Sequence, residues 1–283
     1  MDRTKEYHAL MAQPELDESL LGFENRLRGH TIVFVPGFLS DGMRVVYFLD
    51  QRRYFRSLSP LDVDVKFADI DGEDAPEKNA RIIHETIQHI PGARPIVLFT
   101  HSKGSLDTLH MLVTHRELWN RIAAWVSVQG ALLGSPVADF IVDDPYLKGM
   151  AGVILKAVFR GSGKALECLH TGLSREFIDE HQDTVSALCG AIKVLCYGSA
   201  ISGWTPLGLF RDRMLAHDMP NDGLMPIEHT FLHGADVVRN LAGPDHAAVV
   251  MAGGAPAFFD RARFSRALIS LALRREKVDG HSD

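Results

Sequence analysis

Four stretches of this chain are apolar almost without interruption and end at or near turn residues. They are "HTIVFVPG" from His30, "RPIVLFT" from Arg94, "IAAWVSVQG" from Ile122 and "AIKVLCYG" from Ala191. A strand with one wet face alternates apolar and polar residues; a strand covered on both faces does not, and such strands belong to parallel sheets. "LDVDVKFADI" from Leu61 and "ADVVRNLAG" from Ala235 add two more strands. Helical spacing fills the intervals. A helix is expected over 44–58, and "APEKNARIIHETIQHI" sets Ile82, Ile83, Ile87 and Ile90 on one face before Pro91-Gly92 stops it. "SLDTLHMLVTHREL" is the next helix, and "PAFFDRARFSRALISLALRREK" is expected to close the chain as another. Strand–helix alternation implies an α/β fold, a mostly parallel central sheet flanked by helices. The 283 residues, 46% of them hydrophobic, supply core enough for a single domain over 1–283.

Charge and composition exclude several function classes. The net charge is −6 and no long basic block occurs, so nucleic acid is not an expected partner. "QRRYFR" and "LRREK" are short and mixed with apolar residues, as on a solvated helix face. The first twenty residues are charged and lack the apolar core of a secretory signal. No apolar run reaches the roughly 18–20 residues of a membrane span, so no stable membrane anchor is expected. Cys168, Cys189 and Cys196 form neither an even framework nor a C-x-x-C pair and read as small buried hydrophobes. A soluble, cytoplasmic protein is the expectation.

One interval breaks the rhythm. Residues 131–190, about sixty positions, separate the fourth strand from the fifth, where a single crossover needs far fewer. Leu147, Met150, Ile154 and Val158 recur at helical spacing there, and "LSREFIDEH" reads as a second helix. A helical cap insertion over a pocket is the expectation; an ordinary helical decoration is the plainer alternative.

The third strand runs into "FTHSKGS", Phe99 to Ser105. Ser102 there is either a nucleophile on a strained turn, as in G-x-S-x-G, or a serine capping a helix. A hydroxyl attacks only when a base removes its proton and a third group orients the base. On a sheet of this kind those partners follow the serine as a carboxylate and then a histidine. "PNDGLMPIEH" after the fifth strand offers Asp222, and "GPDHAAVV" after the sixth offers His246. Both loops open at the carboxyl edge of the sheet, where Ser102 also stands.

Taken together, "PGF" after the first strand, "THSKGSLD", "LLGSPVADF", "NDGLMP" and "GPDHA" resemble the α/β-hydrolase superfamily, and within it bacterial triacylglycerol lipases and related serine esterases. The resemblance spans about Thr31 to Val250. It implies Ser102 as nucleophile, His246 as general base and acid, and Asp222 as the orienting carboxylate. It also implies an oxyanion hole from the main-chain N–H groups of Phe38 and Lys103. Thr100 departs from the first elbow glycine, while Gly104 keeps the second. Ala248 stands where many of these lipases carry a calcium-binding aspartate, so no metal and no cofactor are carried over.

Rival residues are several among fourteen histidines. His101 is expected to pack or bond locally. His229 and His233 could mimic an i, i+4 metal pair, and His229 competes as base; Asp218 and Asp236 compete with Asp222. Lys103 is expected in a surface ion pair with Asp107, and Asp139 in a structural role capping the first cap helix. The reading is a carboxylic-ester hydrolase working through an acyl-enzyme on a small ester with an apolar part. An acyltransferase or thioesterase with the same triad, or a non-catalytic binding protein on this fold, are the alternatives.

Overall fold

A computed structural model describes residues 1–12, 18–38, 43–92, 94–143 and 164–274. Six strands, β1 (Thr31–Val35), β2 (Asp64–Phe67), β3 (Ile96–His101), β4 (Ile122–Val128), β5 (Lys193–Ser199) and β6 (Asp236–Asn240), form one sheet in the order β2-β1-β3-β4-β5-β6. Every neighbouring pair is parallel. β1 and β3 are buried at every position, as continuous apolar runs require.

The period-2 pleat divides these strands between two cores. Val33, Val35, Ile96 and Leu98 face the helices Pro76–Gln88, Lys103–Thr114 and Gln182–Ala191. Ile32, Phe34, Val97 and Phe99 face Phe23, Phe55, Phe264 and Leu268 on the other side. Pro76 starts its helix at a position that needs no N–H donor, and Ala80, Ile83 and Ile87 form the buried stripe.

Two helix boundaries differ from expectation, and a helix forms where none was expected. The helix expected from residue 44 begins only at Leu49, because Phe48 has φ 56 and buries its ring against Phe34. The last helix runs over Arg261–Ala272, where Asp260 caps it by accepting from the Arg263 N–H. The charged N-terminus folds as the helix Thr4–Ala12, with Tyr7 against Tyr197 and Phe264. Ahead of that helix, Met1 and Arg3 exchange main-chain hydrogen bonds with Val237, covering the exposed edge of β6.

Between β4 and β5 lie the helices Pro136–Asp143, Lys164–Cys168, Thr171–Glu180 and Gln182–Ala191. The stripe Leu147, Met150, Ile154 and Val158 lies outside the described residues. Val185 and Leu188 of the final helix sit in the core with Trp125, so that helix is the crossover into β5. Asp139 ties this region together: its carboxylate accepts from the N–H and hydroxyl of Thr171. It therefore caps the helix Thr171–Glu180 and not, as expected, the first one.

Candidate active site

Ser102 sits between β3 and the helix Lys103–Thr114 with φ 55 and ψ −130. A capping serine has extended backbone and accepts a hydrogen bond from the first turn. Ser102 has neither feature, and its side chain makes no cap bond. The backbone is held in a region that costs about 1–3 kcal/mol and persists only where the surroundings enforce it. They do so through close approach. A Cβ on Gly104 would lie 2.1 Å from the Pro36 carbonyl oxygen, so only glycine lets the helix start against the end of β1. Thr100 fits because it is still strand: its hydroxyl bonds the Ser105 hydroxyl at 2.7 Å and accepts from the Trp125 indole at 3.0 Å.

Asp222 and His246, from the loops after β5 and β6, meet. The Asp222 carboxylate accepts the Leu224 and Met225 N–H groups on Oδ1 and contacts His246 Nδ1 at 2.8 Å through Oδ2. An ionised carboxylate only accepts, so Nδ1 carries the ring proton and Nε2 keeps a free lone pair. A main-chain bond from His246 N–H to the Asp222 carbonyl, 2.9 Å, binds the two loops again. Both residues are buried. Among the described residues the Ser102 hydroxyl has no hydrogen-bond partner, so the serine–imidazole contact is not formed in this state.

Asp245 organises the loop that carries His246. Its Oδ1 accepts from Ala247 and Ala248 N–H, its Oδ2 from Ala255 N–H and the Thr205 hydroxyl. Both oxygens are thus engaged by protein donors.

The loop after β1 reaches Ser102 closely. A Cβ on Gly37 would stand 2.8 Å from Ser102 Cβ. Phe38 follows, and Lys103 opens the helix whose first N–H groups have no intrahelical acceptor. The Lys103 side chain turns away from this site. Its ammonium bonds Asp107 at 2.9 and 3.1 Å, the ion pair expected from the spacing, but both side chains are fully buried rather than on the surface. The Asn79 amide also donates to Asp107. Burial pushes the Asp107 carboxyl up to about 6, against the pull of Lys103.

His101 does more than pack locally. Its Nε2 faces two acceptors, the His246 carbonyl at 3.1 Å and Gln129 Oε1 at 3.3 Å, so Nε2 carries the proton. Burial holds the ring well below the usual histidine range, so it is neutral, and Nδ1 must accept. Tyr47 therefore donates to Nδ1 at 2.7 Å, and its oxygen accepts the Gly37 N–H at 3.0 Å. The directed chain Gly37 → Tyr47 → His101 → His246 links the loop before Phe38 to the loop that carries His246. Gln129, with φ 45, extends it through the Ser199 hydroxyl to the Pro244 carbonyl. Sequence reading missed Tyr47 and Gln129, and no local signal marks contacts spanning 54 and 70 positions.

The rivals stand elsewhere. Asp236 pairs with the N-terminal amine and Arg3 at the opposite end of the sheet. Asp218 occupies a turn with φ 56. His229 lies in a short 3-10 segment, not a helix shared with His233; it contacts the Gly134 carbonyl at 3.1 Å and Arg175 at 3.3 Å.

No family model matches the chain, and no curated protein matches its sequence. Among solved structures it is similar to a metagenomic carboxyl esterase at 26% identity, over 87% of this chain and 76% of that one, with a TM-score of 0.71. It is similar to a Bacillus licheniformis lipase in mature form at 18% identity, covering 76% and 85% of the two chains, TM-score 0.59. A soluble variant of monoglyceride lipase from Saccharomyces cerevisiae shares 10% identity over 86% of each chain, TM-score 0.52. The last two show the fold alone. With its six parallel strands flanked by helices, and an esterase and two lipases among the solved structures it is similar to, the chain has the α/β-hydrolase fold.

Proposed function

We propose that the chain is a serine-dependent carboxylic-ester hydrolase with Ser102, His246 and Asp222 as its triad. The observation that carries this reading is the strained, uncapped backbone of Ser102 at the sheet edge where Asp222 holds His246 with Nε2 free. Ser102 Oγ attacks the ester carbonyl carbon while His246 Nε2 takes its proton. The carbonyl electrons move to oxygen, and that oxyanion accepts from the Phe38 and Lys103 N–H groups. The tetrahedral centre collapses, the C–O bond to the alcohol breaks, and the imidazolium returns its proton to the leaving oxygen. Water, deprotonated by the same Nε2, then cleaves the acyl-enzyme to the carboxylic acid and restores Ser102. The serine–imidazole bond forms on substrate binding, since catalytic hydrogen bonds are often long in empty sites.

The ester has an apolar part. Leu106, Ala131, Ala138, Leu169 and Met225 gather beside the nucleophile helix, and Ala131 N–H bonds the Ser102 carbonyl. Of the 131–190 insertion, the helices Pro136–Asp143, Lys164–Cys168 and Thr171–Glu180 serve as a cap beside this wall. No helix among the described residues is long and apolar enough to cross a membrane. The test is labelling with an aryl phosphonate followed by mass spectrometry. The adduct is expected on Ser102, and Ser102→Ala should lower kcat by about 10⁶ with the fold intact. Substantial turnover by that variant would refute the mechanism.

A further inference from the structure

Far from the triad, three ligand-bearing side chains converge on one point of the surface. His84 comes from the helix Pro76–Gln88, His115 from the C-terminal cap of the helix Lys103–Thr114, and Glu117 from the 3-10 turn that follows. The two imidazoles stack with centroids 3.9 Å apart and planes at 22°. His115 Nδ1 is 3.1 Å from Glu117 Oε1, and His84 Nε2 is 3.8 Å from the same oxygen. One ligand atom from each of the three lies within 4.8 Å of the others.

We propose that His84, His115 and Glu117 bind a zinc-class divalent cation. Zinc takes nitrogen and carboxylate ligands at about 2.0–2.2 Å in a tetrahedron, which sets the ligand atoms about 3.3 Å apart. The two distances to Glu117, 3.1 and 3.8 Å, bracket that value. Because a metal lies in the plane of each ligating ring, one of the two stacked imidazoles turns out of the stack on binding to aim both nitrogen lone pairs at one ion. Two imidazoles and one carboxylate suit zinc and its neighbours in the transition series; calcium and magnesium favour all-oxygen shells. Water completes the fourth position, because the cluster faces solvent: the side chains of His84 and His115 are 24% and 25% exposed, that of Glu117 61%. Gln88, one turn beyond His84, has its amide 3.3 Å from His84 Nε2 and can turn its oxygen to that water. No spacing motif announces the site, since 30 positions of chain separate His84 from His115.

The cation would join the C-terminal ends of two helices that cover the same sheet face. One of them starts at the nucleophile, but the site is about 18 Å away along twelve residues of helix. Its effect is on stability, not on the reaction. The test is calorimetric titration of chelator-stripped protein with zinc chloride, with melting curves in parallel. One zinc per chain is expected. At zinc about 100-fold above Kd, the unfolding equilibrium should shift about 100-fold and Tm rise by roughly 5 °C. Calcium and magnesium chlorides should give no saturable heat. His84→Phe, which keeps a ring in the stack, and His115→Ala should each abolish the zinc response while metal-free Tm and ester turnover hold. Glu117→Gln should weaken binding. Absence of saturable binding below about 100 µM zinc, or binding that survives in both histidine variants, would overturn the site.

Discussion

Removing one oxygen, in Tyr47→Phe, probes the chain from the Gly37 loop to His246 without touching the proposed triad. The Tyr47 hydroxyl is fully engaged, accepting from Gly37 N–H at 3.0 Å and donating to His101 Nδ1 at 2.7 Å. Burial drives its own ionisation far above the usual tyrosine range, so at working pH it acts only as a neutral bridge. Phenylalanine leaves the Gly37 N–H and His101 Nδ1 buried without a partner. Each such orphan costs about 1–3 kcal/mol, so the variant should lose roughly 2–6 kcal/mol of stability. The more telling effect is kinetic. Gly37 precedes the proposed Phe38 donor and stands against Ser102, so a shift of its peptide misaligns one of two oxyanion donors. Complete loss of such a donor costs about 10²–10³ in kcat; misalignment should cost about 10- to 100-fold. Because the donor acts on charge that develops only in the transition state, KM should hardly move.

Steady-state hydrolysis of an aryl ester, run well below Tm, separates kcat from KM, and urea denaturation gives the stability loss. A variant as stable as the parent, with unchanged kcat, would show that the bridge does not position the loop. Equal losses in kcat and in the fraction folded would reduce it to a structural role.

His246→Ala should abolish turnover nearly as fully as loss of Ser102, whereas Asp222→Asn should retain more, since the amide can partly replace the orienting bond; dead His229→Ala beside active His246→Ala would reverse the assignment. Asp107→Ala strands the fully buried Lys103 ammonium and should cost about 3–5 kcal/mol in urea, while Lys103→Met with Asp107→Leu should recover most of it. Burial holds His110 down at about 4 from its usual 6.5, Glu77 at 3.6 Å pulling the other way. The unfolded chain therefore binds this proton first, and stability should fall as pH drops from 6.5 to 4 and level off below. His110→Phe, which keeps the stack on Phe177, should flatten that part of the urea-midpoint profile; an unchanged profile would refute the assignment.

What could be read from the sequence is what depends on local pattern. β1 and β3 announce themselves because burial on both faces forces apolar residues at successive positions, and Ile83 and Ile87 because one helix face does the same. The meeting of the Asp222 and His246 loops at the sheet edge that carries Ser102 is legible through order along the chain, since each residue follows its own strand and parallel strands bring their carboxyl ends together. Strand neighbours in the sheet do not decide side-chain burial beyond the strands, and there the reading fails. Lys103 and Asp107 have the spacing of a surface pair on any exposed helix. They are instead covered: Asn79, from a second helix, donates to the same carboxylate, and the charges are paired in the interior. Phe48 has a helical neighbourhood in sequence, yet the apolar space beside Phe34 and Phe99 draws its ring inward and reverses the backbone. Tyr47 is then carried with it to the sheet edge, where its hydroxyl meets Gly37 and His101. The bridge is thus a consequence of where a neighbouring ring packs, and only the assembled core contains that information.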